Sequence, residues 1–84
     1  MEEKYVINLD RVEELKSGRT LNYIASLINF SYQYLSEIFL RKRIISRETV
    51  EKIINSMCND VVSLKERLNN DGIDNLINYF FNKM

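Results

Sequence analysis

Residues Leu21 to Ile38 read LNYIASLINFSYQYLSEI, and their spacing decides the fold. Leu21, Ile24, Ala25 and Ile28 fall at i, i+3, i+4 and i+7, which lines one face of a short helix. Asn29 is the expected stop, because Asn tolerates the left-handed conformation that turns a chain out of a helix. Phe30 follows as an apolar plug, and Ser31 offers a side-chain oxygen to the free N–H groups of a second helix. In that helix Leu35, Ile38 and Phe39 form an inward stripe, while Gln33, Ser36, Glu37 and Leu40 lie opposite. Two short helices joined by a tight turn are the expected core unit.

The order of apolar residue, Ala25, three residues, turn residue and apolar residue, followed by Leu35 and Ile38, resembles the helix-turn-helix of the phage-repressor (Xre or lambda-repressor-like) family. Ala25 would sit where the two helices approach most closely, since a longer side chain would separate them. Downstream, Ile38-Phe39-Leu40-Arg41-Lys42-Arg43-Ile44-Ile45-Ser46-Arg47-Glu48-Thr49-Val50 resembles the family's loop and the entry to its fourth helix. The resemblance covers roughly Leu9 to Met57. It departs from the family pattern at three positions: Asn29 stands for the usual turn Gly, Phe39 for a common Glu, and Arg41 where the loop often has Gly. The resemblance implies sequence-specific binding of double-stranded DNA and transcriptional regulation, most commonly repression.

Working outward, Lys4-Tyr5-Val6-Ile7 has strand-forming residues and reads as a short strand or extended arm. Asn8 can cap a first helix from Leu9 to Lys16 with Leu9, Val12 and Leu15 inward, ended by Ser17-Gly18. Thr20 is the expected cap of the helix that begins at Leu21. Ser46 is a cap for a fourth helix whose Val50, Ile53, Ile54 and Met57 repeat at helical spacing. Asn59-Asp60 punctuates, Val61 to Leu68 reads as a fifth helix, and Asn69-Asn70-Asp71-Gly72 is the strongest turn signal. A last helix is expected from Ile73 to Asn82. The fold expected is all-α: a single domain over 1–84, a compact bundle of five or six helices. Residues 9–57 would form the helix-turn-helix core, 58–84 the C-terminal helices, and 4–7 an N-terminal extended arm or strand.

Composition bounds the function. The chain has 84 residues, 12 basic and 12 acidic, and no histidine. A neutral total is unlike a dedicated nucleic-acid binder, but residues 31–57 hold five basic and three acidic side chains. Between Ile38 and Arg47 there are four cations and no acid. Without His, paired carboxylates, a Gly-rich phosphate loop or a nucleophile signature, no residue set carries catalysis, so no enzyme, metal or cofactor is expected. The lone Cys58 reads as a small buried hydrophobe. No apolar run is long enough to span a bilayer, and the acidic start MEEKYVINLD is unlike a secretory signal, so a cytoplasmic location is expected.

Within the resemblance, the helix Ser31 to Leu40 would enter the major groove. Gln33 is the first candidate for a base contact, because an amide can donate to and accept from adenine. Ser36 can do either, Leu40 can touch a thymine methyl, and Tyr32, at the flank, is a fourth base-contact candidate whose hydroxyl could also reach a phosphate. Ser31, Arg41, Lys42, Arg43 and Arg47 are the candidate backbone contacts. Glu37 is unfavourable near phosphates; it can accept from cytosine or pair with Arg41 at i+4, and the pair is the expected arrangement. Leu76, Ile77, Tyr79, Phe80 and Phe81 cover more of the last helix than one buried face requires, which points to a homodimer there. Its two-fold axis would set two recognition helices roughly 34 Å apart on a (pseudo)palindromic site. The competing reading is a small phage- or plasmid-encoded protein-interaction module or inhibitor on the same scaffold, for which neutral charge, outward tyrosines, Leu40 and Ile44-Ile45 speak.

Overall fold

A computed structural model describes residues 2–84. It begins with strand β1 (Lys4–Ile7), whose alternation turns Tyr5 and Ile7 into the core and leaves Val6 half-buried. Asn8 Oδ1 accepts the Asp10 N–H at 3.1 Å, and the chain enters a 3-10 turn at Leu9–Arg11. The short helix α1 follows over Val12–Lys16. The expected inward Leu9 is instead 47% exposed, because the tighter turn rotates it off the face that Val12 and Leu15 share. Ser17 (φ +53) and Gly18 (φ +82) then turn the chain.

Helices α2 (Leu21–Ile28) and α3 (Tyr32–Leu40) follow, each burying one apolar stripe. Thr20 Oγ1 accepts from Tyr23 N, and Ser31 Oγ accepts from Tyr34 N, each at 3.1 Å. Between the helices, Asn29 takes φ +69. Its N–H donates to the Ser26 carbonyl at 3.3 Å, and the Phe30 N–H donates to the Ala25 carbonyl at 2.9 Å. That pair of bonds is a Schellman closure, which satisfies the carbonyls a helix end would otherwise leave bare. Leu21, Ile24, Ala25 and Ile28 of α2 and Leu35, Ile38 and Phe39 of α3 are buried together. Phe39, at a position where the resembled family often has Glu, is a core residue.

Ile45–Ser46 forms β2, and Ser46 caps α4, which runs over Arg47–Asp60 and so includes Asn59-Asp60 rather than stopping before it. Cys58 is buried near its end. Helix α5 spans Val62–Asp71, continuing through the Asn69-Asn70-Asp71 run that reads as a turn. Gly72 alone, at φ +86, makes the exit. Helix α6 (Ile73–Phe80) stops two residues before its expected end, because Phe81–Lys83 forms strand β3.

The molecule is therefore mainly helical with a small antiparallel sheet of order β2-β1-β3. Tyr5 pairs with Ile45 on one side and Lys83 on the other, and Ile7 pairs with Phe81. β1 is the central strand, so of the two expectations for residues 4–7 the short strand holds and the loose arm does not. Two polar clasps tie the outer helices. Asp60 accepts from Tyr23 Oη (2.7 Å) and Arg19 Nε (3.0 Å), binding α2 to the end of α4. Glu14 accepts from Tyr79 Oη and Arg67 Nη1, both at 2.7 Å, binding α1 to α5 and α6. The tyrosine hydroxyl in each case is the first cause that holds the carboxyl below its ordinary range.

Candidate nucleic-acid interface

The inward stripe of α3 fixes its outward face by elimination. With Leu35, Ile38 and Phe39 in the core, Tyr32, Gln33, Ser36, Glu37 and Arg41 are left lining a shallow hollow of about 160 Å³. Three candidate base contacts, Tyr32, Gln33 and Ser36, share that hollow. Leu40 does not line it, though it is 57% exposed at the end of the same helix.

The loop after α3 departs from its expected geometry. The left-handed residue is Lys42 (φ +56), not Arg41, whose φ is −114. The chain therefore makes its turn one position later than the resembled pattern would, and with a lysine where glycine would be unstrained. What holds it is the Glu37 carbonyl, which accepts the Arg41 N–H at 3.0 Å and the Arg43 N–H at 3.1 Å.

The four cations of this region divide. Arg41 and Lys42 are exposed and form no ion pair among the described residues. Arg43 Nη1 donates to Glu37 Oε1 at 2.5 Å, and its guanidinium lies 5.0 Å from the Tyr34 ring centroid. The partner of Glu37 is thus Arg43, not the expected Arg41, because the Lys42 turn brings residue 43 back over the helix. Arg47 leaves the group altogether. It donates to Glu51 Oε2 (2.7 Å), Glu3 Oε1 (3.4 Å) and Asp74 Oδ1, so the cation expected on a DNA backbone is instead engaged with three carboxylates from β1's flank, α4 and α6. Asp74 first, and then Glu51, push the Arg47 guanidinium further above its ordinary range.

Ser31 is occupied as an acceptor by its capping bond, which leaves its hydroxyl proton free to donate outward. Lys52 was not singled out in the sequence. It is exposed on α4 and sits 5.5 Å from the Phe30 ring, beside the α2–α3 turn. Its position at i+2 from Val50 on α4, off the buried stripe, is the signal that would have found it.

The surface expected for a dimer is used inside the protomer. Leu76, Ile77, Phe80 and Phe81 are each 1% exposed. Phe81 is turned inward by its pairing with Ile7 in the sheet. Tyr79 stays half-buried, with Arg11 and Arg67 stacked on its ring at 3.9 and 4.6 Å. No apolar excess is left on this helix to call for a second copy. Among the described residues no acidic, Cys or His cluster could hold a metal, and no helix is long and apolar enough to cross a membrane. No family model matches the chain, and neither does any curated protein or solved structure.

Proposed function

We propose that the protein is a helix-turn-helix regulator that binds double-stranded DNA sequence-specifically and represses transcription, with α3 in the major groove. The observation that carries the reading is the hollow on α3. An amide (Gln33), a hydroxyl (Ser36), a carboxylate (Glu37) and a guanidinium (Arg41) converge on one exposed helix face, beside the unpaired Lys42. A helix fits the width of the major groove, whose base edges present the donors, acceptors and methyl groups that such side chains distinguish. Arg41 and Lys42 supply charge for phosphates, while Gln33 and Ser36 supply base discrimination. The test is a mobility-shift assay of the purified chain against the DNA flanking its own gene. A discrete complex, lost on Gln33→Ala, supports the reading; no retention of any duplex at low salt overturns it.

A second reading has its own observation. Tyr32, Leu40 and Ile44 are 51%, 57% and 53% exposed, an apolar set on and beside the same helix. Such a surface suits a docked protein partner, with the scaffold acting as an interaction module or inhibitor. Ile44→Glu, outside the candidate base contacts, would then abolish partner capture, and the unaltered chain would retain no duplex at low salt.

A further inference from the structure

The carboxylate in the α3 hollow has no place in a surface that merely attracts phosphates. An unpaired anion there would repel DNA, yet Glu37 lines the hollow together with Gln33, Ser36 and Arg41. Its two oxygens are not equivalent. Oε1 accepts from Arg43 Nη1 at 2.5 Å, while Oε2 has no hydrogen-bond partner among the described residues. Arg43 is itself fixed: its backbone N–H donates to the Glu37 carbonyl at 3.1 Å, and its guanidinium lies against Tyr34. Glu37 is therefore a carboxylate with its charge offset, its side chain oriented from one oxygen, and its second oxygen left to accept.

We infer that Glu37 is a specificity-determining residue whose Oε2 accepts from the amino group of a cytosine in the major groove, and that Arg43 is the positioning residue that holds it there. The inference rests on the DNA-binding reading above. Among the four bases, guanine offers N7 and O6, both acceptors, and thymine offers O4 and a methyl group, so a carboxylate is repelled or unsatisfied by each. Adenine has an amino donor, but its N7 acceptor lies beside it and suits an amide such as Gln33 better than a second anion. Cytosine presents its N4 amino group without an acceptor on the same base edge. Arg43 contributes by neutralising the charge, so that approach to the phosphates is not opposed, and by fixing which oxygen faces outward.

The experiment is a selection of binding sites from a randomised duplex library, run with the intact chain and with Glu37→Gln, Arg43→Met and Arg43→Lys. The unaltered chain should select sites with cytosine at one fixed position of the site. Replacing that cytosine by thymine should weaken binding roughly ten-fold, in the range for loss of one good base contact. Glu37→Gln should relax or redirect that position alone, since an amide can also satisfy adenine. Arg43→Met should flatten the preference for cytosine, and Arg43→Lys should restore part of it, which a purely structural brace of the loop would not do. A selected site at which Glu37→Gln changes no base preference would overturn the inference and leave the DNA-binding reading intact. Failure of the unaltered chain to retain any library member at low salt would overturn both. The cytosine-to-thymine arm reads the preference in the unaltered protein, and Glu37→Gln, which keeps the side chain's size, decides whether residue 37 is its source or Arg41 reads the guanine on the opposite strand.

Discussion

The Phe30 N–H donates to the Ala25 carbonyl at 2.9 Å, so the residue at the turn is bonded back to a buried alanine of α2. Ala25 is 3% exposed among the side chains of both helices. Ala25→Leu should overpack that contact and cost about 1–3 kcal/mol in a thermal or denaturant melt. An unchanged midpoint would mean that Ala25 is not at a close approach.

Replacing the two kinds of interface residue should give different signatures. Gln33→Ala should cost about 1–3 kcal/mol on the selected site and little on random duplex, as expected for a lost base contact. Arg41→Ala or Lys42→Ala should weaken both substrates similarly and lower the salt slope by about one. Titrations at several salt concentrations separate the two patterns; identical behaviour would reject the division of roles.

Glu3 gives the sheet a pH dependence. The Lys83 ammonium, bonded to it at 2.9 Å, is the first cause that holds its carboxyl down at about 2, followed by the Tyr5 hydroxyl at 2.8 Å. A depressed carboxyl contributes stability above its unfolded value of 4.5, and that contribution is lost as pH falls from 4.5 toward about 2. Melts recorded between pH 6 and pH 2 should show this decline, and Glu3→Gln should flatten part of it. A Gln variant with the same acid slope as the parent would contradict the assignment.

Phe81→Glu tests the C-terminal strand. With Phe81 enclosed and paired to Ile7, a buried carboxylate without a partner should destabilise the chain by several kcal/mol and so approach unfolding it. Light scattering should report the parent as a 10.0 kDa monomer in the absence of DNA. A parental dimer that Phe81→Glu converts into a folded monomer would require Phe81 to lie at a subunit contact.

Where sequence and structure agree, a local rule was sufficient. Thr20, Ser31 and Ser46 cap the helices that they precede, and Asn29 takes the left-handed turn, because each answers to bonds within a few residues. The apolar periods likewise set which faces of α2, α3 and α4 are buried. What was not legible depended on partners far along the chain. Phe81 reads as one more helical apolar residue until Ile7 is known to lie beside it, 74 positions away by subtraction. Arg47 reads as part of a basic run until Glu3 and Asp74 are brought to it. In the interface, periodicity put Gln33 and Ser36 outward but gave no way to choose among Arg41, Lys42 and Arg43. That choice came from the left-handed turn at Lys42, which local residue preferences would have assigned elsewhere.

The central position of β1 also bears on how the chain can fold. Glu3 and Lys83 are 80 positions apart, and the Met84 N–H donates to the Lys4 carbonyl at 2.8 Å. Helices α2 to α4 can form from contacts close in sequence, which are fast, but β1 gains its second neighbour only by closing a loop that contains nearly the whole chain. Docking of the two ends should therefore be a late event in refolding, with helical signal recovered before the aromatic environment of Tyr5 and Phe81. A fusion at either end would emerge beside the other, on the side of the ion pair between Glu3 and Lys83, and would load this closing step first.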